Sequence, residues 1–142
     1  MIGESLNIEL FQLLVNSGLM VLIWIVQLVI YPGFIHYPEP EIKKWHPIYA
    51  RRITYIVMPL MLSQLVMYTY SIFQEYSLVN MSILVLILFN WVITFLMAVP
   101  LHGRIDKDLT SLHHRKKLIK VNWPRTIAWT IILIISVLGY GT

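Results

Sequence analysis

The sequence predicts an all-α integral membrane protein, a single four-helix transmembrane bundle over residues 1–142, and three observations carry that prediction. Hydrophobic residues make up 58% of the chain and charged ones only 13%, against about 25% charged in an average soluble domain. Four apolar runs stand at residues 10–33, 53–73, 78–101 and 126–142, where a span needs about 20 residues at ~1.5 Å rise to cross ~30 Å of hydrocarbon. All 11 Lys and Arg residues fall in two alternate connections.

The first run is long enough to span and has no basic segment before it, so it reads as mature structure rather than a cleaved leader. The first connection, "IHYPEPEIKKWHPIYARR", carries Pro38 and Pro40 and then Pro47. Pro47 suits the first turn of a helix, where its missing N–H costs nothing, so the second helix is expected to begin near His46. Pro59 lies inside the second run and predicts a kink.

The turn around "FQEYS" is short, making the second and third runs antiparallel neighbours. The third connection, "HGRIDKDLTSLHHRKKLIKVNWP", has room for a short amphipathic helix with Ile105, Leu109, Leu112 and Leu118 on its apolar side; a solvated basic loop is the alternative. The fourth run is short and has to recruit residues 122–125 as its first turn, with Arg125 reaching toward the headgroups. The pairs "YPGFIH" and "VPLH", and "WHP" and "NWP", point to a duplicated helical hairpin that matches Pro32 with Pro100 and His36 with His102.

Lys43, Lys44, Arg51 and Arg52 occupy the first connection; Arg104, Lys107, Arg115, Lys116, Lys117, Lys120 and Arg125 occupy the third. The positive-inside rule puts both in the cytoplasm and both termini outside. All five histidines share these connections, so the polar chemistry gathers on one face. With no cysteine, thiolate metal sites and thiol nucleophiles are excluded. No carboxylate or lysine sits in the middle of a run, which argues against an ion-coupled pump.

The candidate site is built from His46, His102 and Arg125 as catalytic groups. Imidazoles move protons or ligate metals, and a guanidinium holds an oxyanion. Arg52, Gln27, Gln64, Asn90, Asn122, Trp123 and Trp129 are the candidate substrate contacts. Asn122 is read as a helix N-cap, the amides as a polar lining and the tryptophans as walls for a flat ligand. No metal motif of the H-E-x-x-H kind is present; a haem held by two histidines stays open as an alternative cofactor. Nucleic acid is not an expected partner, because topology accounts for the basic residues.

The stretches "YPGF", "WHPIYARRITYIVMPLML", "VPLHGRI" and "LIKVNWPRTIAWT" resemble a family of bacterial four-span membrane proteins. More distantly, Pro100 to Arg104 and the Asn-x-x-Arg-Thr pattern at Asn122 to Thr126 resemble the small membrane-protein superfamily that includes fungal anthrone oxygenases. The resemblance implies a four-helix fold and oxidation of a flat phenolic or quinol-like substrate by dioxygen without a dedicated cofactor. His102 stands where the distant pattern commonly has Asn.

The expected function is that of a membrane oxidoreductase acting on a lipophilic aromatic or quinone-like molecule. Two alternatives come from other classes. One is a homo-oligomeric channel or transporter lined by Gln27, Gln64 and Asn90; the other is a lipid-binding assembly subunit engaging anionic lipids through its basic loops.

Overall fold

The computed structural model describes residues 2–140, with side chains from Asn7 to Tyr140. Four long helices account for nearly all of it. The first, α1, runs over Ile2–Ile25, through a π-helical turn at Val26–Ile30, into Tyr31–Phe34. Helix α2 covers Glu39–Gln74. Helix α3 runs over Leu78–Ile93, through a second π-helical turn at Thr94–Ala98, into Val99–Lys107. Helix α4 covers Leu112–Leu138. Each is long and apolar enough to cross a membrane, and the chain is an integral membrane bundle. The helices alternate in direction and close a ring in which α1 packs on α2 and α4, and α3 packs on the same two.

The connections are shorter than the sequence predicts. Glu39 and Glu41 occupy the first turn of α2 with Pro40, an arrangement that suits the helix dipole and the missing proline N–H. His46 therefore lies in the body of α2, and Pro47 and Pro59 are both inside an unbroken helix. Helix α4 likewise starts at Leu112, so the expected amphipathic helix of the third connection is divided. Ile105 belongs to the end of α3, Leu109 lies in the turn, and Leu112 and Leu118 are the early turns of α4 itself. Asn122 is in the interior of α4 rather than at a cap, and Pro124 is also internal. Arg125 is buried within the bundle, not raised toward the headgroups.

The core runs the full length of the bundle through Leu19, Met61, Ile87 and Ile132 and on to Ile42 and Ile105 at the basic end. Phe11, Val66, Phe73, Leu96 and Ile134 are exposed on the outside, as lipid rather than water demands. Polar residues inside cross-link helices. The Asn16 amide donates to the Tyr68 hydroxyl at 2.8 Å and to Ser136 Oγ at 2.7 Å. Gln64 Nε2 donates to Asn16 Oδ1 at 2.7 Å, and Trp129 Nε1 to Gln64 Oε1 at 3.2 Å. Three helices, α1, α2 and α4, are joined by one network, which satisfies groups that hydrocarbon cannot.

At the basic end one ion pair ties three helices. Arg115 donates to the carbonyls of Phe34 at 2.7 Å and Tyr37 at 2.8 Å, and its other terminal nitrogen reaches Glu39 Oε1. Ser111 closes the clamp by donating its N–H and hydroxyl to the Glu39 carboxylate at 2.9 and 2.8 Å. Losing the carboxylate strands a buried guanidinium. Glu39→Ala should lower stability by about 2 kcal/mol, read as an earlier thermal transition of the detergent-solubilised protein.

Candidate functional site

Three helical registers bring the site together. On α2, Ile42, His46 and Tyr49 are all buried and follow the four-then-three spacing of one helix face. On α3, His102 and Asp106 are four apart and share a face. On α4, Asn122, Arg125 and Trp129 form a buried stripe of the same kind. The fourth contribution comes from α1, where the π-helical turn precedes Tyr31 and Phe34, both buried.

Four side chains from three helices make one hydrogen-bonded line. Asp106 Oδ1 is 2.6 Å from His46 Nδ1. His46 Nε2 is 2.8 Å from His102 Nδ1, with the two rings within 22° of parallel. His102 Nε2 is 3.0 Å from the Tyr31 hydroxyl. An ionised carboxylate only accepts, so a neutral His46 carries its proton on Nδ1 and accepts at Nε2; His102 then donates from Nδ1 and accepts from the Tyr31 O–H at Nε2. Every bond holds one proton and all point toward Asp106. His46 is wholly buried, His102 half-buried, and the Asp106 side chain is 30% exposed. The line thus leads from the interior to the surface at the basic end of the bundle.

Its inner end meets a cavity of about 350 Å³. Tyr31, Tyr49, His102 and Arg125 form the polar wall, and the remaining lining is almost wholly apolar. Arg125 is 5% exposed. One terminal nitrogen donates to Asn122 Oδ1 at 2.9 Å, its guanidinium lies 5.1 Å from the Trp129 ring centroid, and it shares the cavity wall with Tyr31. Its Nε has no partner. Among the described residues the ion pairs are His46–Asp106, His114–Asp108 and Arg115–Glu39; Arg125 has no carboxylate. A buried cation without an anion is costly, and this one borders an apolar space.

The sequence-singled residues divide on this geometry. His102, Arg125 and Trp129 line the cavity, and His46 stands directly behind His102. Asn122 holds Arg125 from the side and donates to Gln27 Oε1 at 2.8 Å, while Gln27 Nε2 donates to the Ile119 carbonyl at 3.3 Å. Gln27 and Gln64 therefore spend their amides on helix contacts and do not line the cavity. Asn90 is buried away from it with neither amide atom bonded. Arg52 is exposed on α2, and Trp123 is 40% exposed with its ring edge against Trp24; neither reaches the site. His36 is exposed, and counted from the two prolines His102 corresponds to Phe34 instead.

Asp106 is not among the residues the sequence singles out, although its i, i+4 spacing from His102 is a readable signal. The haem alternative meets a plain obstacle in this pair. All four imidazole nitrogens of His46 and His102 are engaged by Asp106, by each other and by Tyr31, leaving no lone pair for iron. Comparison with known proteins found no matching family model, no similar curated protein and no similar solved structure.

Proposed function

We propose that the cavity binds a lipophilic phenol or quinol and that the protein is a membrane oxidoreductase that oxidises it with dioxygen. The observation supporting this reading is the unbroken donor line from the cavity wall to Asp106, beside a buried cation with no anion. A substrate hydroxyl gives its proton to the Tyr31 oxygen as Tyr31 passes its own to His102 Nε2. His102 Nδ1–H then passes to His46 Nε2, and His46 Nδ1–H to Asp106 and water. Arg125 holds the oxyanion that remains.

The electron count closes with dioxygen as acceptor. A quinol loses two electrons and two protons to become quinone; dioxygen takes the two electrons, the proton of the second hydroxyl and one from solvent, and leaves as hydrogen peroxide. By the positive-inside rule Asp106 faces the cytoplasm of a bacterial inner membrane, so the relayed proton is released there.

The test uses 2,3-dimethoxy-5-methylhydroquinone with the purified protein in phosphatidylcholine nanodiscs. Saturable oxygen uptake above the protein-free rate, matched by peroxide, is expected, together with saturable quenching of tryptophan fluorescence by the quinone product. No saturation in either signal would overturn the reading.

A further inference from the structure

The cavity is not a round pocket. Along α2 its lining extends from Tyr49 to Met61, about 18 Å of helix, and along α1 from Tyr31 back to Leu19. Helix α4 contributes Arg125 to the polar wall and Trp129 beside it, whose indole N–H reaches Gln64 just beyond Met61. The space is therefore a slot, polar at the end nearer the basic connections and aliphatic from Ile53 through Val57 to Met61. Its volume, about 350 Å³, is at the small end of the ~300–1,000 Å³ range for ligand sites. A ring with its oxygens against Arg125 and His102 leaves the aliphatic stretch unfilled.

The slot is also open at the side. Thr54 on α2 and Phe95 and Val99 on α3 line it, yet all three are exposed. Tyr49 lies against His102 across the same pair of helices, with ring centroids 6.5 Å apart. In antiparallel helices this pairing sets Thr54 level with residues 95–99. The gap between α2 and α3 thus opens on the outer face of the bundle, at the start of the apolar run of α2 and about one and a half turns from the polar wall.

We infer that the ligand is an amphiphile with a single tail: a phenol or quinol ring whose acyl or prenyl chain runs along Ile53, Val57 and Met61 and enters from the lipid between α2 and α3. This rests on the reading of the head site given above. The head end supplies a cation and a proton acceptor; the slot supplies only apolar contact. A water-soluble phenol would leave most of the slot empty. A two-tailed phospholipid needs room for a second chain, which about 350 Å³ spread over about 18 Å of helix does not offer.

The test is a photolabelling map in phosphatidylcholine nanodiscs. The probe is a 2,3-dimethoxy-5-methylbenzoquinone bearing one alkyl tail of about ten carbons, sized to the slot, with a diazirine at its end. Saturable labelling on residues 53–61 of α2 or 95–99 of α3, reduced about tenfold by excess tail-less quinone, is the expected result. Val57→Trp, which fills the slot, should lower that labelling about fivefold; if this variant does not fold, the wild-type map decides. Labelling that the tail-less quinone displaces but that maps to the outer face of α4 or to the basic connections would overturn the tail slot and leave the head site standing. No saturable labelling, with no quenching by the tail-less quinone, would remove both.

Discussion

Replacing Arg125 with glutamine is expected to weaken quinone binding on the order of a hundredfold, about 3 kcal/mol, because a buried charge-assisted contact to the ligand oxygen is lost. The same substitution should leave the empty protein melting no lower than the wild type, or higher. That combination is unusual for a residue 5% exposed. Large buried side chains normally stabilise, and truncating them costs stability. Arg125 carries instead an uncompensated charge whose desolvation the free protein bears without a carboxylate in return. Fluorescence quenching and thermal unfolding on one preparation read both effects. A variant that melts markedly lower and binds as before would make Arg125 structural.

Asp106→Asn should slow turnover about a hundredfold with KM nearly unchanged. Asn still accepts the His46 Nδ1–H, so the line keeps its shape, but its end no longer has a basic oxygen to receive a proton. Asp106 does not line the cavity, and ground-state binding has no reason to change. His102→Gln touches the ligand as well and is expected to lower turnover and affinity together. Steady-state kinetics on the tail-less hydroquinone separate the two patterns. Equal losses in kcat/KM and in thermal stability for Asp106→Asn would mean a packing role only.

The spans and their count were legible because hydropathy is additive along the chain and needs no knowledge of neighbours. The helix ends were not. Residues 39–52 and 112–125 are rich in Lys, Arg, Glu and His, which read as solvated connection, yet most of these are sound helix formers, and helices continue past the membrane that hydropathy detects. Hence the sequence puts His46 and Asn122 at helix starts, and both are interior. His46, His102 and Arg125 could be collected by type and approximate depth. Asp106 offers one readable signal, its i, i+4 spacing from His102, but its partner His46 is 60 residues away and only packing shows that the carboxylate caps the line. For Gln27 and Gln64 the chemistry was legible and the destination was not: an amide in an apolar run needs a partner, and the sequence does not say whether that is a helix or a ligand.

The two π-helical turns carry a consequence for changes in chain length. In each the following N–H reaches five residues back, Tyr31 to Val26 and Val99 to Thr94, and a proline comes next, Pro32 and Pro100. Such a turn accommodates one residue more than the α-helix around it. Winding the same residues as ordinary α-helix would rotate everything beyond by most of the ~100° that one residue occupies, swinging Tyr31 or His102 toward the lipid, whereas removing the extra residue would restore ordinary helix with both close to their present faces. The relay therefore depends on how the chain is wound at these turns as much as on residue types, and a chain with a one-residue gap at either turn would keep the site where ordinary helix replaces the π-turn.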